Sequence, residues 1–198
     1  MKELEGKVAL VTGAGQGVGE GIALALAAEG VNVVVTGRTE EKLVKTVTAI
    51  VDRGGKALAV VCNVKSSTDL ARAVNETISH FGRLNILVNN AQEVPNGLLN
   101  EVSDEVFTAG FESGPLATLR LMKLAYPHLK GDGCIVNLAS TVAKRWDMSG
   151  YGAYAAVKEA IRSLTRAAAC EWGADGIRTN VILPHAKSPG LVWWMANN

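Results

Sequence analysis

Tyr154 and Lys158 are the two side chains of this sequence best suited to acid–base chemistry. They lie four positions apart in a predicted helix, so both project from one helix face. A free phenol has a pKa of about 10, and lowering it by ~3 units for use at neutral pH requires ~4 kcal/mol. One ammonium ~4 Å away, at an effective dielectric constant of ~20, supplies about that much, although burial opposes the shift. The pair predicts a general acid–base; the alternative is a surface tyrosine packed over a lysine stem.

A glycine-rich turn near the N-terminus predicts a dinucleotide site. It follows an apolar run at residues 8–11 and has the spacing T-G-x-x-x-G-x-G, with the fixed positions filled by Thr12, Gly13, Gly17 and Gly19. Glycines let a pyrophosphate approach the backbone closely, and the following helix directs unpaired N–H groups and its positive dipole end toward the anion. A tight turn that binds nothing is the alternative. No Gly-Lys-Ser/Thr follows, which argues against a nucleoside triphosphate site.

Strand-like and helix-like segments alternate six times, with no change in composition that would mark a linker. The predicted strands lie at residues 8–11, 31–36, 57–62, 84–89, 134–139 and 177–183. Periodicity and capping residues predict helices over 22–29, 39–51, 66–81, two stretches ending near 129, and 154–172. This alternation predicts one α/β domain over residues 1–198, with a doubly wound parallel sheet of at least six strands and helices on both faces.

The residues with chemical potential all follow predicted strands. In sheets of this kind, ligands bind outside the carboxyl ends of the strands. The turn at 13–19, residues 37–38, residues 89–91, residues 140–141 and Pro184 should therefore line one edge of the sheet. This convergence is a stronger indication of a binding site than any single motif.

Composition argues against several classes of partner. The 198 residues carry a net charge of +1 without a block of like charges, so neither nucleic acid nor a membrane surface is expected. Neither a signal-like N-terminus nor a run of ~18 apolar residues is present. Cys62, Cys134 and Cys170 lie in or beside apolar runs and lack zinc spacing. We therefore expect three reduced core thiols, no metal site and a cytoplasmic protein.

The motifs together resemble the short-chain dehydrogenase/reductase family, in its 3-oxoacyl-ACP-reductase-like branch. They occur in order over essentially the whole chain: the glycine turn, Asn89-Asn90-Ala91, Ser140, Tyr154-x-x-x-Lys158, and Ile177-Arg178-x-Asn180 with Pro184. The resemblance implies a Rossmann domain and NAD(P)-dependent hydride transfer between a nicotinamide cofactor and a ketone or secondary alcohol. Tyr154 would be the general acid–base. Lys158 would lower its pKa and hold the nicotinamide ribose, and Ser140, with Thr141 as the fallback, would hydrogen-bond the substrate carbonyl.

The resemblance also implies a set of residues that contact the cofactor. They lie in the glycine turn, at strand ends and in the catalytic helix: Thr12, Gly13, Gly15, Gln16, Gly17, Val18, Gly19, Arg38, Asn63, Val64, Asn90, Ala91, Tyr154, Lys158 and Pro184. Asn89 would support the central sheet. Family members commonly form dimers and tetramers, so we expect a homodimer or homotetramer that acts on a small carbonyl or alcohol substrate.

Arg38 predicts the choice of cofactor. An acidic residue at the end of the second strand would bind the adenosine ribose of NAD and repel a 2′-phosphate. That end reads Thr36-Gly37-Arg38, with no acid. A guanidinium can pair with a phosphate through two hydrogen bonds, so we expect NADP(H) to be preferred over NAD(H). The alternative is a solvated arginine at the start of a helix.

Several positions depart from the family pattern. Gly114 lies where a helical asparagine usually takes part in a proton relay, although Gly114-Pro115 can still distort the helix. Gln92 replaces a glycine at a point of close backbone approach, and Asn63 replaces an aspartate that contacts adenine. An amide oxygen can accept the same hydrogen bond as that aspartate, so the change at position 63 is mild.

The end of the sequence differs as well. His185 replaces the glycine that usually follows the proline, and the chain stops at Asn198 without the family's substrate-covering helix and seventh strand. We interpret this as a truncated or incompletely represented chain. The apolar residues 191–195 would form the start of the missing helix, a substrate lid or a subunit contact.

These departures leave a second function open. A catalytically weak family member that binds nucleotide and serves as a scaffold subunit would tolerate them, whereas intact Ser140, Tyr154 and Lys158 favour an enzyme. A methyltransferase with a glycine-rich loop is disfavoured because it would need neither Tyr154 nor Lys158. Substrate identity falls to loops 92–100 and 144–150 and to the tail, where Trp146, Met148 and Trp193 suggest an apolar pocket.

Overall fold

The computed structural model describes residues 3–144 and 149–184 together with Val192. It contains one parallel sheet with the strand order β3-β2-β1-β4-β5-β6. The strands are β1 (Val8–Thr12), β2 (Asn32–Gly37), β3 (Ala57–Val61), β4 (Ile86–Asn89), β5 (Gly133–Leu138) and β6 (Ile177–Ile182). The order reverses between β1 and β4, and this reversal confirms the predicted doubly wound architecture.

Six α-helices connect or flank the strands in the described part of the chain. They are α1 (Gly17–Ala28), α2 (Glu40–Val51), α3 (Ser67–Phe81), α4 (Asp104–Phe111), α5 (Ala117–Leu129) and α6 (Gly152–Trp172). Helix α3 shows why such segments begin where they do. The Ser66 hydroxyl caps it by accepting from the Asp69 N–H at 3.2 Å, but the Asp69 carboxylate accepts from Asn63 N instead of returning the bond. Only half of the predicted capping box therefore forms.

Two apolar cores cover the two faces of the sheet. Successive residues of a strand point to opposite faces, so Leu10 packs in one core while Ala9 and Val11 pack in the other. Helices α1 and α2 cover the face of Ala9 and Val11, whereas α3, α5 and α6 cover the face of Leu10. Every residue of β1 is buried, as expected for a central parallel strand.

A single π turn, Glu112–Leu116, joins α4 to α5. Pro115 lies inside it and has no N–H with which to continue the α-helical hydrogen bonds, so the chain widens. The Ala117 N–H accordingly donates to the carbonyl of Glu112, five residues earlier. The distortion predicted at Gly114-Pro115 is therefore present, and it lies next to the carboxyl edge of the sheet.

The cysteines differ from the expectation of three core thiols. All three are free, but only Cys62 is buried, since Cys134 is half-buried and Cys170 is exposed on α6. On an amphipathic helix, a shift of one position moves a side chain from the core face to the solvent face. The apolar residues next to Cys170 in sequence therefore do not indicate which way its thiol points. None of the described helices is long and apolar enough to cross a membrane.

Some predictions fall on residues that the structure leaves undescribed. Trp146 and Met148 of the proposed apolar pocket, together with His185, Trp193 and most of the 191–195 segment, lie outside the described residues. Within that segment Val192 is described, and its side chain is exposed.

Candidate active site

The ends of β1 and β4 are fastened to each other by side chains. The Thr12 hydroxyl accepts hydrogen bonds from the N–H groups of Asn90 and Ala91 at 2.9 and 3.0 Å. In return, Asn90 Nδ2 donates to the carbonyls of Thr12 and Gly13 at 2.8 and 3.2 Å. These bonds hold the loop after β4 against the start of the glycine turn. Protein–protein hydrogen bonds therefore fix the positions of these two segments without a bound ligand.

The conformation of the glycine turn allows a ligand to approach the backbone closely. Gly13 and Gly17 have φ values of 65° and 60°, which glycine adopts without strain. A Cβ at position 19 would overlap the Gly13 carbonyl oxygen and Asn90 Nδ2, so only glycine fits there. Gln16, at the N-cap of α1, makes no side-chain cap bond, and its Oε1 instead accepts from Lys42 Nζ at 2.6 Å. The first N–H groups of α1 thus keep their capacity to bind an anion.

A cavity of about 460 Å³ runs from this turn to helix α6, a volume typical of ligand sites. Most of the predicted cofactor residues line it: Gly13, Gly15, Gln16, Gly17, Val18, Arg38, Asn63, Val64, Asn90, Ala91, Tyr154, Lys158 and Pro184. Thr12 and Gly19 lie behind its wall, where they set the loop and the helix packing. The turn, the cavity and the uncapped helix start together fit a dinucleotide.

Tyr154 and Lys158 line the far end of the cavity, and Ser140 lies beside the tyrosine. Ser140 follows β5, and its hydroxyl is hydrogen-bonded to the phenol of Tyr154 in the first turn of α6. Lys158 lies one helical turn further on, where its Nζ donates to the Leu138 carbonyl at 2.7 Å and sits 5.5 Å from the centre of the Tyr154 ring. Tyr154 and Lys158 thus share one face of α6, as predicted, while Ser140 reaches the tyrosine from the end of β5 and the Leu138 carbonyl anchors the lysine.

Burial determines the ionisation of this group and corrects one expectation. It raises the pKa of Tyr154 to about 12, against the hydrogen bond with Ser140, which lowers that pKa. Burial also lowers the pKa of Lys158 to about 7. The sequence predicted a phenol made acidic by the ammonium of Lys158. In this structure the loss of solvation is the largest influence on both pKa values, because it disfavours both the phenolate and the ammonium.

Gln92 and Gly114 occupy each other's space. Gln92 Nε2 donates to the carbonyls of Glu93 and Gly110 at 2.6 and 2.9 Å. Its Oε1 is buried without a hydrogen-bond partner and lies where a Cβ at position 114 would be. The two departures from the family pattern are therefore linked: a carboxamide from the loop after β4 fills the place of a side chain on the π turn.

A buried polar chain ties α6 to the sheet. Asn89 Nδ2 donates to Asn137 Oδ1 at 2.8 Å, and Asn137 Nδ2 donates to the Thr165 hydroxyl at 3.0 Å. The predicted support of the sheet by Asn89 is present, and it extends to the helix that carries Tyr154. Asn63 lines the cavity, and its Oδ1 accepts from the Lys65 N–H at 3.1 Å in a local turn, which leaves one lone pair of that oxygen for a ligand.

Sequence reasoning missed the ionic partners around the cavity. Arg38 pairs with Glu93 at 2.9 Å, and Lys65 pairs with the same carboxylate at 3.2 Å. These residues come from loops that are far apart in sequence. They come together because of the order of the strands in the sheet, and a local sequence pattern does not predict that order.

Comparison with known proteins connects this site to a family. A family model described as short chain dehydrogenase matches residues 7–192. A 12alpha-hydroxysteroid dehydrogenase from Clostridium sp. is 40% identical over 94% of this chain and 75% of its own length. A 7alpha-hydroxysteroid dehydrogenase complexed with NADH and 7-oxo glycochenodeoxycholic acid has a TM-score of 0.91 at 30% identity, over 96% of this chain and 75% of its own. A Burkholderia cenocepacia short chain dehydrogenase in complex with NADP has a TM-score of 0.90 at 32% identity, over 94% and 77%.

Proposed function

Because this chain belongs to the short chain dehydrogenase family, and is therefore a nicotinamide-dependent oxidoreductase of alcohols and ketones, we propose that Tyr154 is its general acid–base. Ser140 orients the substrate oxygen, and Lys158 supports the tyrosine and the cofactor. The observation that carries this proposal is that Tyr154 and Lys158 line the cavity that also contains the glycine turn, with Ser140 hydrogen-bonded to the tyrosine.

The chemistry of each protein group follows from its position. The nicotinamide ring supplies or accepts the hydride when the cofactor is bound. In reduction, the Tyr154 hydroxyl donates a proton to the carbonyl oxygen; in oxidation, the phenolate accepts the proton of the alcohol. The hydrogen bond from Ser140 stabilises the phenolate, because it lowers the Tyr154 pKa against the effect of burial. Lys158, fixed by Leu138, places a cation beside that phenolate whenever it is protonated.

Tyr154→Phe tests the assignment of the acid–base. The substitution keeps the ring and removes the proton donor, so we expect turnover to fall by at least about 100-fold. NADPH and NADH should still bind in a calorimetric titration. Tyr126→Phe is the matched control, because it removes a phenol that contacts Asp175 outside the cavity. A wild-type protein that binds cofactor but turns over none of a broad ketone panel would instead indicate the scaffold function.

The preference for NADP(H) rests on Arg38. Its guanidinium lines the cavity at the end of β2, where no carboxylate of β2 competes for the ribose. A charge-assisted hydrogen bond is worth about 1.5–3 kcal/mol, so Arg38→Ala should lower kcat/KM for NADPH by roughly 10- to 100-fold and change that for NADH little. Arg53→Ala, at an exposed position in the turn after α2, is the control. An unchanged ratio of the two efficiencies would reject the preference.

The substrate class is best approached by a screen of ketones. Two of the named relatives are hydroxysteroid dehydrogenases, and others are described as hydroxynaphthalene reductase-like proteins, so fused-ring ketones belong in the panel. The predicted 3-oxoacyl-ACP-reductase-like branch requires 3-oxoacyl thioesters in it too, alongside sugars and quinones. Consumption of NADPH with one class and not the others identifies the substrate type.

Assembly and location are further parts of the proposal. A homodimer or homotetramer is supported by the length of α5 and α6, which present exposed residues along their outer faces. Sedimentation velocity at micromolar concentration measures the mass directly. A cytoplasmic location is supported by three cysteines without disulfide partners.

A further inference from the structure

Three charged side chains from three strand ends meet at the rim of the cavity. Arg38 follows β2, Lys65 follows β3, and Glu93 lies in the loop after β4. The Glu93 carboxylate accepts from Arg38 Nη1 at 2.9 Å through Oε1 and from Lys65 Nζ at 3.2 Å through Oε2. Each of its oxygens therefore faces a different cation.

The Arg38–Glu93 ion pair spans the sheet position of β1. Strand β1 lies between β2 and β4, and its end leads into the glycine turn. Arg38, Glu93 and that turn line the same cavity. Any ligand on the glycine turn must share the cavity with this ion pair, and an anionic group on the ligand would compete with the carboxylate for its two cations.

The carboxylate is delivered from a fixed backbone. Glu93 N donates to the Ser113 hydroxyl at 3.0 Å, and the Glu93 carbonyl accepts from Gln92 Nε2 at 2.6 Å. The Lys65 carbonyl accepts from Arg120 Nη1 at 3.2 Å. Two of the three partners are thus anchored, whereas the Arg38 side chain is 66% exposed and is the member that can move.

We propose that Glu93 is a cofactor-selecting residue, whose carboxylate acts as a counterion that the 2′-phosphate of NADP(H) has to displace from Arg38 and Lys65. This inference rests on the proposed use of NADP(H) through Arg38. The phosphate brings nearly two negative charges to donors that already hold one. The 2′-hydroxyl of NAD(H) brings none, so it leaves the ion pair in place. Glu93 therefore weakens the binding of NADP(H) but not that of NAD(H), and reduces the difference in affinity between the two cofactors.

Glu93→Gln tests this by direct titration of NADPH and NADH, without any requirement for turnover. We expect the Kd for NADPH to fall about three- to tenfold at low ionic strength, and the Kd for NADH to change less than about twofold. The gain should disappear in the Arg38→Ala background and shrink as salt is added. Glu101→Gln, which removes an equal charge from an exposed site outside the cavity lining, should leave both constants unchanged.

The outcomes separate this inference from the proposed function. If Glu93→Gln weakens NADPH binding, or shifts both cofactors equally while its melting temperature matches wild type, Glu93 does not select. If wild type binds neither cofactor, the proposed function itself fails. If NADPH binds but Arg38→Ala does not weaken it, the NADP(H) preference fails before Glu93 is at issue.

Discussion

Lys158 is a buried lysine whose ionisation is strongly affected by the loss of solvent. Its side chain is 3% exposed, and burial lowers its pKa to about 7. Between about pH 7 and 10.5 the unfolded chain binds a proton at this position that the folded chain does not. Raising the pH removes that proton from the unfolded state only, so folding becomes more favourable as pH rises through this window.

Lys158→Met should remove this pH dependence. Over pH 7 to 9, the unfolding free energy of wild type should rise relative to that of Lys158→Met, by at most about 1.4 kcal/mol per pH unit. Urea denaturation at several pH values measures the difference. Lys45→Met, which removes a solvent-exposed lysine of α2, should run parallel to wild type. Parallel curves for Lys158→Met as well would mean that the amine is not desolvated.

Ser140 affects the titration of Tyr154. Because its hydrogen bond lowers the Tyr154 pKa, Ser140→Ala should raise that pKa. The rise of kcat/KM with pH in alcohol oxidation should then move to higher pH, with a loss of about 100-fold near neutrality. Ser140→Thr should recover part of the loss. The pH–rate profile of Thr141→Ala is the comparison: a shift in that variant and none in Ser140→Ala would transfer the role to Thr141.

At the scale of elements, the π turn and the loop after β4 form one unit. Gly114→Ala places a Cβ on the Gln92 carboxamide and forces it away from the carbonyls of Glu93 and Gly110. We expect a loss of about 1–3 kcal/mol in wild type. In a Gln92→Ala background the same change should be neutral or stabilising, because alanine is the better helix former. Urea denaturation of the four proteins gives the coupling, and simple additivity would contradict it.

The elements and most of the site could be predicted from sequence, because they depend on local patterns. Apolar runs indicated the strands, the glycine spacing indicated the turn, and Tyr154 with Lys158 indicated the helix to which we assign the acid–base. The sequence could not predict that the Gln92 side chain fills the space beside Gly114, because this depends on two segments that meet only in the folded chain. The pKa of Tyr154 was misjudged for a related reason: it depends on how much solvent remains around the phenol, and only the assembled structure fixes that.

At the scale of the whole molecule, Asn137 joins strands β4 and β5 to helix α6, which carries Tyr154. It is fully buried between β4 and α6, with Asn89 and Thr165 as partners. Asn137→Ala leaves the Asn89 amide unpaired in the core and opens a cavity, so we expect a loss of about 2–4 kcal/mol. Thermal denaturation measures it, with exposed Asn100→Ala as the control. A change below about 0.5 kcal/mol would mean that the chain of amides is dispensable.

This internal tether has a consequence for engineering. The hydrogen bonds that fix Asn137 and Lys158 to β5 and α6 involve none of residues 94–100. Two members of that stretch nevertheless reach the start of α6, because Gly97 N donates to the Gly150 carbonyl at 2.9 Å and Leu99 lies beside Gly152. A library that varies this stretch while keeping Gly97 and Leu99 should therefore change which ketones are accepted and leave Tyr154 and Lys158 in place.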